Sequence, residues 1–181
     1  MELPKTNPQY NAVGIDGSVY NTNGKLLYSM QAESAWEYPN DDKIYLKKLA
    51  IEMYDESKDW ANYTMSSNSG WIDRINKTGY LGESTIVTVS NSGGVGAISG
   101  NPRAEKSGTE KSGAGDLESE KVIHIYSENI NLNLEKNTFG SNAIAHVEQG
   151  KNSLYTQGFS YDNNKHFLIL ESKVRIVYYV R

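Results

Sequence analysis

Cysteine is absent from the 181 residues, which excludes disulfides, thiolate metal sites and a cysteine nucleophile. No apolar run approaches the roughly 20 residues that a bilayer-spanning helix needs. The opening Met1-Glu2-Leu3-Pro4 has neither the basic start nor the apolar core of a signal peptide. Basic charge is not in excess either: the net charge is −4 and the pI about 5.4, so no broad surface for nucleic acid is implied. Phenylalanine is scarce at 3 residues, against 13 tyrosines and 16 glycines, and the hydrophobic fraction is only 38%. That balance leans toward β structure with amphipathic faces. The length suits one well-packed domain.

Catalytic signatures are missing as well. His124, His146 and His166 lie 22 and 20 residues apart, without local ligand spacing, and read as surface or rim side chains. Asp41-Asp42, Asp55-Glu56 and Asp162 fall in turn-like stretches, where carboxylates bond their own backbone, and nothing selects a pair for glycoside hydrolysis. Gly93-Gly94-Val95-Gly96 lacks the Gly-Lys-Ser/Thr ending of a phosphate loop. No serine sits in a nucleophile elbow. Asn62-Tyr63-Thr64 and Asn76-Lys77-Thr78 match a glycosylation triplet that is common by chance. The expectation is no catalytic residue, no metal and no cofactor.

What is there is alternation and turns. Residues 1–12 show no periodicity and read as a flexible lead-in. Val13 to Tyr20 alternates as a strand, and Asn21-Thr22-Asn23-Gly24 supplies a hairpin turn that tolerates positive φ. Leu26, Tyr28, Met30 and Ala32 then share one face, with Leu27, Ser29, Gln31 and Glu33 on the other. The stretch 41–60 is ambiguous locally. Leu46, Leu49, Ala50 and Met53 fit helical spacing, whereas a strand requires a bulge near Lys47-Lys48, after which Leu49, Ile51 and Met53 share a face.

Repetition favours the strand. Ser29 to Trp36 resembles Thr64 to Trp71, 35 residues on, and each is followed by a turn and a second arm. The second copy returns through Tyr80 to Val89. A third copy runs Ile123 to Glu148 with a turn at Glu135-Lys136-Asn137, and a fourth runs Leu154 to Val180 with a turn at Asp162-Asn163-Asn164-Lys165. Between copies two and three, 91–118 is rich in glycine and serine and reads as a long mobile loop. One domain over 13–181, built from stacked antiparallel hairpins into a twisted open sandwich or roll, follows. Its two outer strands would be free edges, open to docking by another strand.

The interior candidates are Leu26, Tyr28, Met30, Leu46, Ile51, Met53, Ile130 and Leu132. Ile144, Phe167, Ile169, Val174, Ile176 and Tyr178 complete the set. They form either a sealed core or an interior that opens along one seam and holds acyl chains; alternation does not separate the two.

Val19 to Tyr28, the acidic turn and the Met53-Tyr54-Asp55 ending together resemble the LptC family of lipopolysaccharide transport proteins. Ile125 to Leu132, Val147-Glu148-Gln149-Gly150 and the final pair ending Val174 to Tyr179 extend the resemblance over about 14–180, apart from 91–118. The order of these blocks carries it more than any one motif, and the glycine- and serine-rich insertion is longer than the family pattern. The resemblance implies an all-β, twisted open β-jellyroll and a binding role without enzymatic turnover. It implies that lipopolysaccharide is accepted from the LptB/F/G transporter and passed to periplasmic LptA, edge strand to edge strand. The family's single transmembrane helix would precede this chain, anchoring the domain at the periplasmic face of the inner membrane. Gly24 would then face the transporter. Gly150, Val174, Ile176 and Tyr178 would face LptA, and Leu46 would face the lumen. The alternative is a β-sandwich carbohydrate-binding or adhesin-like module with surface tyrosines as sugar platforms.

Overall fold

Asn21 organises the first hairpin: its side-chain Oδ1 accepts the backbone N–H of Asn23 and of Lys25, each at 2.9 Å, and Gly24 takes φ +77°. The computed structural model describes residues 7–54, 61–90 and 122–177. Eleven strands follow in chain order. They are β1 (Tyr10–Tyr20), β2 (Leu26–Glu37), β3 (Lys43–Tyr54), β4 (Ala61–Asp73), β5 (Thr78–Leu81) and β6 (Thr85–Ser90), then β7 (Val122–Ser127), β8 (Ile130–Asn133), β9 (Thr138–Gln149), β10 (Asn152–Asp162) and β11 (Phe167–Val177). β1 begins at Tyr10, three residues inside the stretch expected to be lead-in. The glycine- and serine-rich 91–118 and Tyr178 lie outside the described residues.

All eleven strands join one antiparallel sheet in the order β1-β2-β3-β4-β5-β8-β9-β10-β11, with β6 and β7 forming a second bridge from β4 to β9. The four hairpins read from the repeats are present: β2/β3, β4 with β5 and β6, β7 and β8 with β9, and β10/β11. The helical alternative for 41–60 is excluded over Lys43–Tyr54, which is strand throughout.

A line of left-handed residues crosses the sheet: Gly14, Lys48, Ser84, Asn129, Gly158 and Lys173 all have positive φ. At this line β3 and β10 change the side-chain parity that faces inward, while β9 and β11 each take up one extra residue against β10. On β3, Leu49, Ile51 and Met53 face the core beyond Lys48, and Leu46 faces it before. The change of face expected near Lys47-Lys48 is present, but it comes from the left-handed Lys48 and not from a bulge, since β3 keeps one register with β2 and β4 through this point. The same line splits β5 from β6 and β7 from β8, breaks that alternation did not foresee.

The two bent halves pack on each other. Tyr63 on β4 meets the rings of Phe139 and Tyr161 in the other half, at 5.1 and 6.4 Å between centroids. Inward side chains line up strand to strand. Met30, Ile51, Met65, Val87, Ile125, Val147, Leu154 and Ile176 form one row across eight strands. Leu46, Gly70, Leu81, Ile130, Ser141, Phe159 and Leu170 form the facing one: five of the six pairings are direct, and Ile130 meets Ser141 by extension of the β8/β9 register. Each aliphatic side chain fully buried this way contributes about 1.5–3 kcal/mol. The rows are sealed in the middle, where Leu46, Leu81, Val87 and Ile130 are 0% exposed, and loosen toward the last strand, where Ile176 is 47% exposed. β1 and β11, at the two ends of the strand order, present free edges.

Candidate functional site

A cavity of about 600 Å³ opens between the halves on the β1 side. Val19, Leu27, Tyr28, Met53 and Tyr54 line it from the free ends of β1 to β3, and Ile72 and Leu134 line it from the opposite half. Its rim is polar: Asp73, Arg74 and Lys77 from the β4–β5 turn, Glu135 and Asn137 from the β8–β9 turn, and Asn164 from the β10–β11 turn. An apolar floor with a charged lip is the form of an amphiphile site.

The rim is held by backbone bonds between turns far apart in sequence. Leu134 N–H donates to Lys77 O at 2.8 Å and Asn163 N–H to Asn137 O at 3.1 Å. Asp73 shapes the β4–β5 turn by accepting the N–H groups of Ile75 and Asn76 and the side-chain amide of Asn76, at 3.0, 2.8 and 2.8 Å. The Asn76 backbone bond, then its side-chain bond, hold the Asp73 carboxyl below the ordinary carboxylate range. Arg74 pairs with Glu37 at 3.2 Å and Lys77 with Glu135 at 3.4 Å, both on the surface, where such pairs contribute little. Beneath them Tyr63 donates its hydroxyl to Asn137 Oδ1 at 2.7 Å. Burial pushes the Tyr63 phenol far up and that of Tyr28 up as well, so both stay neutral.

The expected interior residues divide into three groups. Leu46, Ile51, Met53, Ile130 and Leu132 are buried, and Tyr28 and Met30 pack partly buried against the same cluster. Leu26 is half-buried at the start of β2, while its neighbour Leu27, expected to face outward, lines the cavity. Val174 and Ile176 are exposed at the β11 edge, Ile176 on the inward row opposite Leu154.

Ile144, Phe167 and Ile169 require correction. Ile144 is 68% exposed, and its neighbour Ala145 takes the buried position at 0%. Between Phe159↔Ser141 and Gln157↔Ile144 two residues of β9 oppose the single Gly158 of β10, yet Phe139, Ser141, Ala145 and Val147 keep one inward parity along β9, and Ile144 falls on the other. On β11 every residue from Phe167 to Leu170 is apolar, so alternation had no phase. Pairing with Tyr161 and Phe159 sends Leu168 and Leu170 inward, and Phe167 and Ile169 outward, 58% and 49% exposed.

Gly24 and Gly150 both adopt positive φ, +77° and +59°, and for Gly24 that is the conformation its Asn-Gly turn calls for. The charged lip, Arg74, Lys77 and Glu135, was missed. These residues come together only through the β5/β8 pairing, which nothing local signals.

The outer face carries aromatic residues in register. Trp36, Tyr45, Trp71 and Tyr80 form one row across β2 to β5. Their surfaces are spent on one another and on a cation: Trp71 stacks on Tyr80 at 6.0 Å, Tyr45 meets Tyr38 edge-on at 5.4 Å, and Lys43 lies 4.7 Å over Trp71. On the other half, His146 stacks between Tyr155 at 4.3 Å and Tyr126 at 5.8 Å. These ladders brace the sheet and leave few free ring faces of the kind a sugar platform offers. Among the described residues no group of three or more His, Cys, Asp or Glu side chains is placed to hold a metal ion, and no helix is long and apolar enough to cross a membrane.

A folded antiparallel sheet with two free edges, an apolar interior and an amphiphilic mouth defines a lipid-handling β-jellyroll. The match to known proteins is to that class. The family described as lipopolysaccharide-assembly, LptC-related matches residues 2–179, and the chain belongs to it. Membership of this family gives it a role in lipopolysaccharide transport, a binding role and not an enzymatic one. Among solved structures the chain is similar to LptH from Pseudomonas aeruginosa, the LptA-homologous periplasmic component of the lipopolysaccharide transport device. The TM-score is 0.53 at 12% identity, covering 84% of this chain and 95% of that one; at this identity the likeness speaks for the fold. No curated protein matches.

Proposed function

We propose that the protein holds lipopolysaccharide by its acyl chains in the seam between the two halves and relays it from the LptB/F/G transporter to LptA. The observation that carries this reading is the mouth: a cavity of about 600 Å³ with an apolar floor, opening beside the free edge strand β1. The sugars and phosphates stay outside at the polar rim, where burying them would be costly. Chains enter among Val19, Tyr28 and Met53 and advance along the inward rows toward Ile176. β1, with the Gly24 turn, docks on the transporter side. β11, beside the strand that the Gly150 turn leads into, presents Val174 and Ile176 to LptA by strand addition, and Tyr178 follows them in sequence. An N-terminal helix preceding this chain anchors the domain to the inner membrane. The protein carries no covalent chemistry in this scheme.

Site-specific photo-crosslinking tests it. Probes at Tyr28, Met53 and Leu132 are expected to capture lipopolysaccharide, and a probe at the outward Ile144 is expected not to. Capture at Ile144 with none at the three inward positions rejects the seam.

A further inference from the structure

The β4–β5 turn stands out at the mouth. Ile75, at its tip, is 68% exposed, and it sits between two cations, Arg74 and Lys77, that both line the cavity. The turn is pre-shaped by the three bonds that Asp73 accepts, so these side chains are presented on a fixed frame and not on a loose loop. Asp73 is engaged by those donors, which leaves Glu37 and Glu135 as the carboxylates now occupying the cations. Both ion pairs are solvent-exposed, with side-chain exposures of 60% and 28% for Arg74 and Glu37 and 59% and 67% for Lys77 and Glu135. Pairs of this kind exchange readily, because water and salt screen them.

We infer that the turn Asp73–Lys77 is a headgroup reader, in which Arg74 and Lys77 bind a phosphate carried by the amphiphile whose chains fill the cavity. This inference rests on the seam proposed above. Arg74 offers a planar fork that suits two phosphate oxygens, and Lys77 adds a second charge. Glu37 and Glu135 act as competitors. A phosphate dianion reaching both cations at once displaces two separate monovalent carboxylates, whereas a neutral head does not. The rim thereby selects phosphorylated amphiphiles. The exposed apolar tip favours a lipid over a free anion, since Ile75 has use for an acyl boundary and none for inorganic phosphate.

Equilibrium binding to three probes separates these cases: bis-phosphorylated lipid A, the same lipid stripped of phosphate, and inorganic pyrophosphate. The wild-type chain is expected to prefer the phosphorylated lipid by about tenfold or more, the scale of one lost charge-assisted contact. The double variant Arg74→Gln, Lys77→Gln should lose that preference while still binding the stripped lipid, and Glu135→Gln should strengthen it. Added salt should erode the wild-type preference, a measurement that carries the test should the double variant not fold. Equal binding of both lipids by the wild type overturns the headgroup reader and leaves the seam intact. Binding of neither lipid overturns both. Saturable pyrophosphate binding that the double variant abolishes, without discrimination between the lipids, assigns the cations to a free anion and overturns the inference.

Discussion

Gly150 shows what a single residue decides. It adopts φ +59° in the turn between β9 and β10, in the left-handed region where an L side chain costs about 1–2 kcal/mol. Gly150→Val is expected to lose about that much stability, a fall of roughly 2–8 °C in Tm for a domain of this size. Gly150→Asn, whose side chain tolerates the conformation, should recover most of it. Thermal unfolding of both variants measures the difference, and equal losses would show that space, not φ, restricts the site. Gly70 is glycine for the other reason. A Cβ there would stand 2.5 Å from the carbonyl oxygen of Tyr80, so β4 and β5 approach each other through its missing side chain.

At the scale of elements, two turns carry predictions. Lys48 holds φ +48° where β3 bends, and its surface ion pair with Glu33 is worth little. Lys48→Gly is expected to raise stability by about 0.5–1 kcal/mol by removing the left-handed strain, partly offset by glycine's greater freedom when unfolded; urea denaturation reads it directly. Lys48→Ile should lower stability. The Asp73 turn responds to pH. Its folded carboxyl is held below the ordinary range, so its contribution is fully present above the unfolded value of about 3.9 and is lost as pH falls through the depressed folded one. Amide exchange at Ile75 and Asn76 is expected to quicken there, more than the intrinsic rate allows, and Asp73→Ala should show the faster exchange already at neutral pH.

These elements also mark what the sequence discloses. The Asn23-Gly24 turn, the change of face at Lys48 and the four hairpins were readable, because turn chemistry and period-two alternation are local. The phase of β11 was not, since four consecutive apolar residues fit either face and only pairing with Phe159 and Tyr161 chooses. The lip of the cavity was hidden for the same reason: Lys77 meets Glu135 across 58 residues, through strand order alone.

For the whole molecule, the contrast between a sealed middle and open ends is the functional statement. One cavity of about 600 Å³ falls within the range that holds a compact ligand. It accommodates part of a multi-chain lipid, so relay across the sheet requires the halves to part along rows now closed at Leu81, Val87 and Ile130. Ile130 and Ile176 separate these regimes, since both lie on inward positions, with exposures of 0% and 47%. Ile130→Ala is expected to destabilise the domain by about 2–5 kcal/mol, through lost burial and the cavity left behind. Ile176→Ala should cost under about 1 kcal/mol, because little of that side chain leaves water on folding. If lipid reaches the exit by way of the interior, saturating lipopolysaccharide should shield residue 176, and the labelling rate of a cysteine placed there should fall. A cysteine at the outward Ile144 should label at an unchanged rate. Unfolding and labelling together distinguish a true conduit from a closed core with an amphiphile held only at its mouth: in the second case Ile130→Ala still destabilises, but residue 176 labels at the same rate with lipid and without.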